Sequence, residues 1–197
     1  MLSAGLLLAA GAGRRMGGPK ALLRDPDGVP FLDRAVRVLL DGGCDSVTVV
    51  LGASAGEARD LLGEERSADD PAVSVVEAPE WDEGMGASLR SGLDALAAAD
   101  DRDMALVTLV DLPDVGASVV RRVLAAGTGP GSLVRATYGG RPGHPVLIGR
   151  DHWAGVRATA RGDEGARAYF RDHAPTPCEC GDLATGRDVD RPADLAP

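Results

Sequence analysis

The chain of 197 residues has a formal net charge of −9 and is long enough to bury an apolar core without disulfides or structural metals, so we expect a single domain over residues 1–197. The acidic charge argues against a nucleic-acid polymer as partner, because phosphate backbones are usually met by a basic surface. The apolar opening is too short to span a bilayer and lacks the charged start of a signal peptide, which predicts a cytoplasmic protein with no membrane partner.

Short apolar runs alternate with helical patterns, which is typical of βα units that build a mostly parallel sheet. Most runs are continuously apolar, which indicates strands buried on both faces. The predicted strands are residues 3–9, 46–51, 73–77, 104–110, 133–137 and 145–148, with weaker candidates near Cys178 and Val189. Apolar residues three or four apart predict helices at residues 30–40, 56–62, 87–98, 117–126 and 164–171, which would cover the sheet.

Two polar or turn-rich segments separate these elements. Residues 63–71 are predicted to form a surface loop and residues 127–131 a turn. The pattern as a whole predicts an α/β, Rossmann-like, three-layer fold with a mostly parallel central sheet.

The first predicted strand leads into a glycine-rich loop, LAAGAGRRMGGPKALL, at residues 8–23. Such a turn suits phosphate, because backbone amides point outward and no side chain blocks the approach. It is not a Walker A loop, since Ala21 follows the lysine where Ser or Thr is required. It is not a dinucleotide fingerprint either, since Met16 stands at the third glycine position.

The cations of this loop are Arg14, Arg15 and Lys20, and all three are candidates for binding a triphosphate. Lys20 is the only lysine among the 21 basic residues of the chain. The alternative is an ordinary glycine turn with solvated arginines.

Asp111 directly follows the strand predicted at residues 104–110. Open α/β sheets bind ligands in the crevice outside the carboxyl ends of their strands. Mg²⁺ prefers oxygen ligands and is commonly held by one or two carboxylates together with substrate phosphates. Asp111 is therefore a candidate Mg²⁺ ligand; the alternative is a turn aspartate before Pro113.

The glycine loop resembles the signature LAAGxxxRMGxxK of the MobA-like nucleotidyltransferase superfamily, and is most similar to its molybdenum cofactor cytidylyltransferase branch. The resemblance implies a nucleotide-diphospho-sugar transferase-like fold. It also implies that Arg15 and Lys20 are catalytic residues that bind the nucleotide triphosphate, with Arg14 as a further candidate. The loop residues implied in nucleotide binding are Leu8, Ala9, Ala10, Gly11, Gly13, Arg14, Arg15 and Lys20.

Two acidic segments extend the resemblance. VDLPD, residues 110–114, is similar to the family's DxP element, which implies a catalytic and metal-binding role for Asp111. DVDRPADL, residues 188–195, is similar to DIDTPEDL, which implies Asp190 as the second Mg²⁺ ligand. Asp188 is the alternative ligand, and either aspartate could instead cap a short helix.

Three further segments point to the substrates. Residues 78–93, APEWDEGMGASLRSGL, resemble NPxWxxGMxxSL, which implies nucleotide binding by Gly84, Met85 and Ser88, although core packing is the alternative for Met85. RPGHPVLIG and RGDEGAR resemble the GHPV and GDxGAR elements, which implies that His144 and Asp163 bind the acceptor. A structural histidine and a helix-capping aspartate are the alternatives.

The function implied is Mg²⁺-dependent transfer of CMP from CTP, or of another nucleotide from its NTP, to a phosphorylated pterin acceptor of the molybdopterin type, for a molybdoenzyme client. A phosphate monoester needs no strong base, since its second pKa is about 6. Ala10 in LAAG favours CTP, because GTP-using members tend toward LAGG. The alternatives are guanylyl transfer, another phosphorylated acceptor, or a non-catalytic cofactor-delivery protein. Met16 disfavours an oxidoreductase.

Overall fold

The computed structural model describes residues 1–65, 70–99 and 101–195. The strands are β1 (Ser3–Leu8), β2 (Ser46–Leu51), β3 (Val73–Glu77), β4 (Met104–Leu109), β5 (Leu133–Tyr138), β6 (Arg141–Gly149) and β7 (Thr176–Glu179). The α-helices are α1 (Phe31–Asp41), α2 (Ala55–Glu65), α3 (Met85–Ala99), α4 (Ala117–Ala125), α5 (Arg150–Thr159) and α6 (Arg167–Phe170). Within these ranges, no helix is both long enough and apolar enough to cross a membrane.

The strands form one sheet in the order β3-β2-β1-β4-β6-β5-β7. Neighbouring strands pair in parallel, apart from β6, which runs antiparallel to both β4 and β5. A two-residue hairpin joins β5 to β6, and its central residues Gly139 and Gly140 have φ of 58° and 75°, as a type I′ turn requires. The predicted mostly parallel sheet is confirmed.

Helices cover both faces of the sheet, so the three-layer arrangement is also confirmed. One core packs α1, α2 and α4 against the sheet, and includes the fully buried Leu39 of α1 and Leu106 of β4. The other packs α3 and α5 against the opposite face, and includes Leu93 of α3 and Leu6 of β1. Inner strands buried on both faces have continuously apolar sequences, so the positions of these strands could be predicted from the sequence.

Several local predictions were wrong. The weak strand near Val189 does not form; this segment is irregular, and the Val189 amide donates a hydrogen bond (2.9 Å) to the carbonyl of Asp111, just beyond β4. The helix at residues 164–171 is reduced to α6, because Gly165 adopts a φ of 54° after a 3₁₀ turn at Gly162–Glu164. The strand near Cys178 is confirmed as β7.

Two elements differ from the pattern for other reasons. Helix α5 was not predicted, since it buries only Trp153 and Val156 and is otherwise polar. Helix α2 continues to Glu65, where a loop was expected from residue 63, and residues 66–69 of that loop lie outside the described ranges.

Replacing either of two helical glycines with alanine should change the stability in opposite directions. A Cβ at Gly92 of α3 would lie 2.5 Å from Leu6 Cδ1 and 2.9 Å from Val50 Cγ2, whereas one at Gly63 of α2 would meet no atom within 4 Å. We expect Gly92→Ala to lower the free energy of unfolding by about 1–3 kcal/mol through overpacking. Gly63→Ala should raise it by up to about 1 kcal/mol through helix propensity. Urea unfolding measures both, and equal effects of the same sign would contradict the packing of α3.

Candidate functional site

The glycine loop and Asp111 meet because β1 and β4 are parallel neighbours. Leu8 at the end of β1 pairs with Leu109 at the end of β4, so the segments that follow both strands leave the same edge of the sheet. This is the edge at which open α/β sheets bind their ligands.

The loop is folded around Gly13. Its carbonyl accepts hydrogen bonds from the amides of Met16 (2.8 Å) and Gly18 (3.3 Å). Gly13 has a φ of 56°, and a Cβ there would collide with the carbonyl oxygen of Gly18. Among the described residues, the amides of Gly11 and Ala12 have no hydrogen-bond acceptor, and a Cβ on Gly11 would meet nothing within 4 Å. The loop therefore offers open backbone donors, which is how such turns bind anions.

Lys20 connects the loop to both predicted metal ligands. Its Nζ donates hydrogen bonds of 2.6 Å to Asp111 Oδ2 and 2.6 Å to Asp190 Oδ1. Asp190 reaches this position because the backbone beside it is bound to the end of β4, and because the Asp194 carboxylate accepts from the Asp190 amide (3.1 Å). Arg15 forms a longer ion pair with Asp190, at 3.6 Å, and its side chain is 78% exposed.

The ionisation of the three groups follows from burial and from this contact. Burial raises the pKa of Asp111, and the hydrogen bond from Lys20 offsets only part of this effect. The Lys20 hydrogen bond lowers the pKa of the more exposed Asp190. Burial alone would lower the pKa of Lys20, but the two carboxylates outweigh it and raise that pKa overall. Lys20 therefore keeps its charge at neutral pH.

Asp111, Asp188 and Asp190 could together hold a divalent cation. Each offers a carboxylate oxygen, and the three atoms lie within 4.8 Å of one another. Asp111 Oδ1 is buried and has no hydrogen-bond partner in the described part of the chain, which is unusual for a buried acceptor. The oxygen donors and this free acceptor fit Mg²⁺. Both Asp190 and its alternative, Asp188, thus lie within the group.

A cleft of about 360 Å³ opens between the glycine loop and the start of α3. Residues 8–14, Lys20 and Asp111 form one side, and Gly84, Met85 and Ser88 form the other. Every predicted nucleotide-binding residue except Arg15 therefore lines one cavity. Trp81 also lines it, a role that the sequence analysis missed although this tryptophan matches the family segment.

Glycines set the width of this cleft. A Cβ on Gly84, which has a φ of 114°, would lie 2.6 Å from Asp163 Oδ1 and 2.6 Å from the Gly162 carbonyl carbon. A Cβ on Gly86 would lie 2.7 Å from the Arg161 amide nitrogen. The start of α3 can therefore pack directly on the turn that carries Asp163.

A second cleft of about 280 Å³ adjoins the first and is lined by both predicted acceptor-binding residues, His144 and Asp163. The two clefts share Leu8, Met85, Leu109 and Asp163. Burial, followed by the positive charges of Arg135 and Arg167, lowers the pKa of His144 to about 4, so this imidazole is neutral at pH 7.

Arg135 and Arg167 also line the second cleft and were not singled out from the sequence. A signal existed for each of them. Arg135 interrupts an otherwise largely apolar strand, and Arg167 closes the RGDEGAR segment.

Comparison with known proteins links this architecture to a family. A family model described as MobA-like NTP transferase domain matches residues 5–176. The nicotine blue oxidoreductase of Paenarthrobacter nicotinovorans is 38% identical, over 94% of this chain and 91% of that protein. The molybdenum cofactor guanylyltransferase of Rhodobacter capsulatus is 31% identical, over 78% of this chain and 66% of that protein.

Solved structures agree on the fold. Rv0371c of Mycobacterium tuberculosis, crystallised in complex with manganese, superposes with a TM-score of 0.71 at 26% identity, over 98% of this chain and 96% of that one. A nucleotidyl transferase from Methanothermobacter superposes with a TM-score of 0.77, over 98% and 94% of the two chains. At 22% identity, the latter supports the fold alone.

The cluster formed by Asp111, Asp188 and Asp190 predicts metal binding that depends on Asp111. We expect Asp111→Asn to weaken Mn²⁺ binding by about tenfold or more, because it removes the buried ligand charge. Isothermal titration calorimetry measures the dissociation constant directly. Asp182→Asn is the control, since Asp182 lies on the terminal segment that carries Asp188 and Asp190, but its carboxylate is paired with Arg122. Equal affinities for the wild type and Asp111→Asn would contradict the site.

The pKa of His144 predicts a loss of stability in mild acid. A folded-state pKa of about 4, below the ordinary 6.5, means that the unfolded chain takes up the proton first, so stability present above pH 6.5 is lost as pH falls toward 4. Between pH 7.5 and 5, wild type should lose about 1–2 kcal/mol more than His144→Gln. Urea unfolding at both pH values tests this. His173→Gln, which alters an exposed histidine, should show the wild-type loss.

Proposed function

Since this chain belongs to the MobA-like NTP transferase domain family, we propose that it transfers CMP from CTP to a phosphorylated pterin of the molybdopterin type, with release of pyrophosphate. Nucleotidyl transfer is the general activity, and CTP and the pterin are the finer part of the proposal. The observation that carries it is the contact of Lys20 with Asp111 and Asp190 at the mouth of an open glycine loop. Phosphate-binding donors and metal-binding carboxylates thus lie side by side.

In the proposed reaction, a phosphate oxygen of the acceptor attacks the α-phosphorus of the nucleotide. The bond from the α-phosphorus to the oxygen bridging to the β-phosphorus breaks, and that oxygen leaves with pyrophosphate. The acceptor phosphate is already ionised near neutral pH, so no protein group need remove a proton. The neutral His144 is consistent with this, since its role would be to orient the acceptor.

The protein's part is to position the reactants and stabilise charge. The Gly11 and Ala12 amides and Lys20 face the region where the triphosphate would lie, and they would stabilise the charge that develops on pyrophosphate. Arg14, on the cleft wall, and Arg15, at its rim, can add to this. A divalent cation bound by Asp111, Asp190 and Asp188 would neutralise charge across the reacting phosphates.

The choice between CTP and GTP as the nucleotide rests on fewer observations than nucleotidyl transfer itself. Ala10 is almost fully buried, and a Cβ on Gly52 would lie 2.8 Å from its methyl and 2.5 Å from Trp81 Cγ, so this corner of the cleft is tightly packed. Ala10 favours CTP, whereas the similarity to a guanylyltransferase favours GTP. A single methyl group discriminates by only about 1–3 kcal/mol.

One relative favours a second candidate function. The 38% identical protein is named as an oxidoreductase, so this fold is compatible with redox chemistry. Against that function, Met16 stands where a dinucleotide fingerprint needs glycine. A protein that only retained a nucleotide, without catalysis, would not require the cluster of three aspartates.

A substrate matrix separates these functions. The four NTPs are combined with molybdopterin and with other phosphorylated acceptors, with pyrophosphate as the readout, and oxidation of NADH and NADPH is followed in parallel. We expect pyrophosphate release that requires both Mg²⁺ and the acceptor, with CTP preferred. More efficient use of GTP would overturn the choice of base, and NAD(P)H oxidation without pyrophosphate release would establish the redox function.

Asp111→Ala should lower pyrophosphate release by about a hundredfold or more, because the charge stabilisation of the reacting phosphates is lost. Circular dichroism verifies that the variant is folded, and Asp182→Asn should retain wild-type activity. Undiminished turnover by Asp111→Ala would contradict the assignment.

A further inference from the structure

Arg135 is a charged residue of β5, the next-to-last strand of the sheet, and its side chain lines the second cleft. It pairs with Val146 of β6, which pairs with Val107 of β4, so these three residues lie on one row and one face. All three line the second cleft. The Arg135 Nε donates to the Gly143 carbonyl (3.0 Å), and among the described residues its terminal nitrogens meet no carboxylate.

Arg167, on α6, brings a second positive charge to the same cleft. Burial, and then the charge of Arg167, lowers the pKa of Arg135, as expected for two positive groups that line one cleft. Within the described ranges Arg167 has no ion-pair partner. Two guanidinium groups without a carboxylate partner in the described part of the chain thus line one cleft of a protein whose net charge is −9, and positive groups so placed attract anions.

The acidic residues of this cleft have other contacts. The Glu164 carboxylate lies 3.4 Å from the Arg171 guanidinium group, and Asp188 belongs to the cluster of three aspartates near Lys20. Asp163 packs against Gly84. None of them forms an ion pair with Arg135 or Arg167 in the described part of the chain.

We propose that Arg135 and Arg167 bind a second anionic group of the acceptor, other than the phosphate that reacts. This rests on the proposed function, in which the reacting phosphate lies beside Asp111. Guanidinium groups suit this role, because they donate paired hydrogen bonds to phosphate or carboxylate oxygens. Val107 and Val146 form an apolar floor beside the two guanidinium groups, and Phe170, whose ring centroid lies 6.0 Å from the Arg135 guanidinium carbon, forms a wall.

Binding of inorganic phosphate tests the site without relying on catalysis. The Nε–Hε NMR signal of Arg135, identified by its absence in Arg135→Gln, is followed during a titration with sodium phosphate, with sodium chloride at equal ionic strength as reference. We expect a saturable shift with phosphate alone, and about tenfold weaker binding in Arg167→Gln. Arg141→Gln, which alters an exposed arginine of the same strand as Gly143, should bind like wild type. A shift that does not saturate, or that chloride reproduces, would overturn the proposal.

Kinetics then separates this proposal from the proposed function. Arg167→Gln should raise the KM for molybdopterin about tenfold and leave the KM for CTP unchanged. Arg135→Lys should raise the KM for molybdopterin less than Arg135→Gln does, because lysine keeps the positive charge. Equal effects on both KM values would overturn the acceptor role. Absence of pyrophosphate release with every NTP would refute the proposed function alone, and the phosphate titration would still decide whether the anion site exists.

Discussion

The contact of one lysine with two carboxylates determines how the site is assembled. Lys20, Asp111 and Asp190 come from three segments that are far apart in the chain, namely the loop after β1, the end of β4 and the irregular terminal segment. Asp111 is largely buried, and a buried carboxylate without a cation is strongly destabilising. The ammonium group of Lys20 therefore stabilises Asp111 and also holds the glycine loop against the strand ends. A triphosphate or a divalent cation entering the cleft would meet one ammonium group already paired with two carboxylates, with one negative charge in excess.

The clefts on either side of this contact depend on residues without side chains. Gly13 allows the loop to turn, and Gly84 and Gly86 allow α3 to approach the turn at Gly162. This packing places Met85 and Asp163 at the boundary between the two clefts. Two substrates bound on either side would meet there, so the spacing of the backbone, as much as any polar group, sets how closely they approach.

Family membership fixes the fold more firmly than the chemistry. The relatives include a protein named as a guanylyltransferase and one named as an oxidoreductase, on the same scaffold. Function depends on the groups that a scaffold places in its site. In this chain those groups are open amides, a single lysine and three clustered aspartates on the nucleotide side, with two arginines on the other side that have no carboxylate partner among the described residues. Together they suit the binding and transfer of phosphates in an otherwise acidic protein.

The sequence by itself determined the inner strands, the major helices and the composition of the loop. Strands buried on both faces must be apolar throughout, and a loop that exposes amides must be rich in glycine; both constraints act within a few neighbouring residues. The β5–β6 hairpin was missed, although Gly139 and Gly140 were its local signal, and the polar helix α5 carried too little apolar periodicity to be recognised. Only the tertiary structure could decide that Asp188 joins Asp111 and Asp190, that Arg15 lies at the rim, and that Arg135 and Arg167 share a cleft. These relations depend on strand order and on packing between distant segments, and no local pattern encodes which charged side chains a fold will bring together.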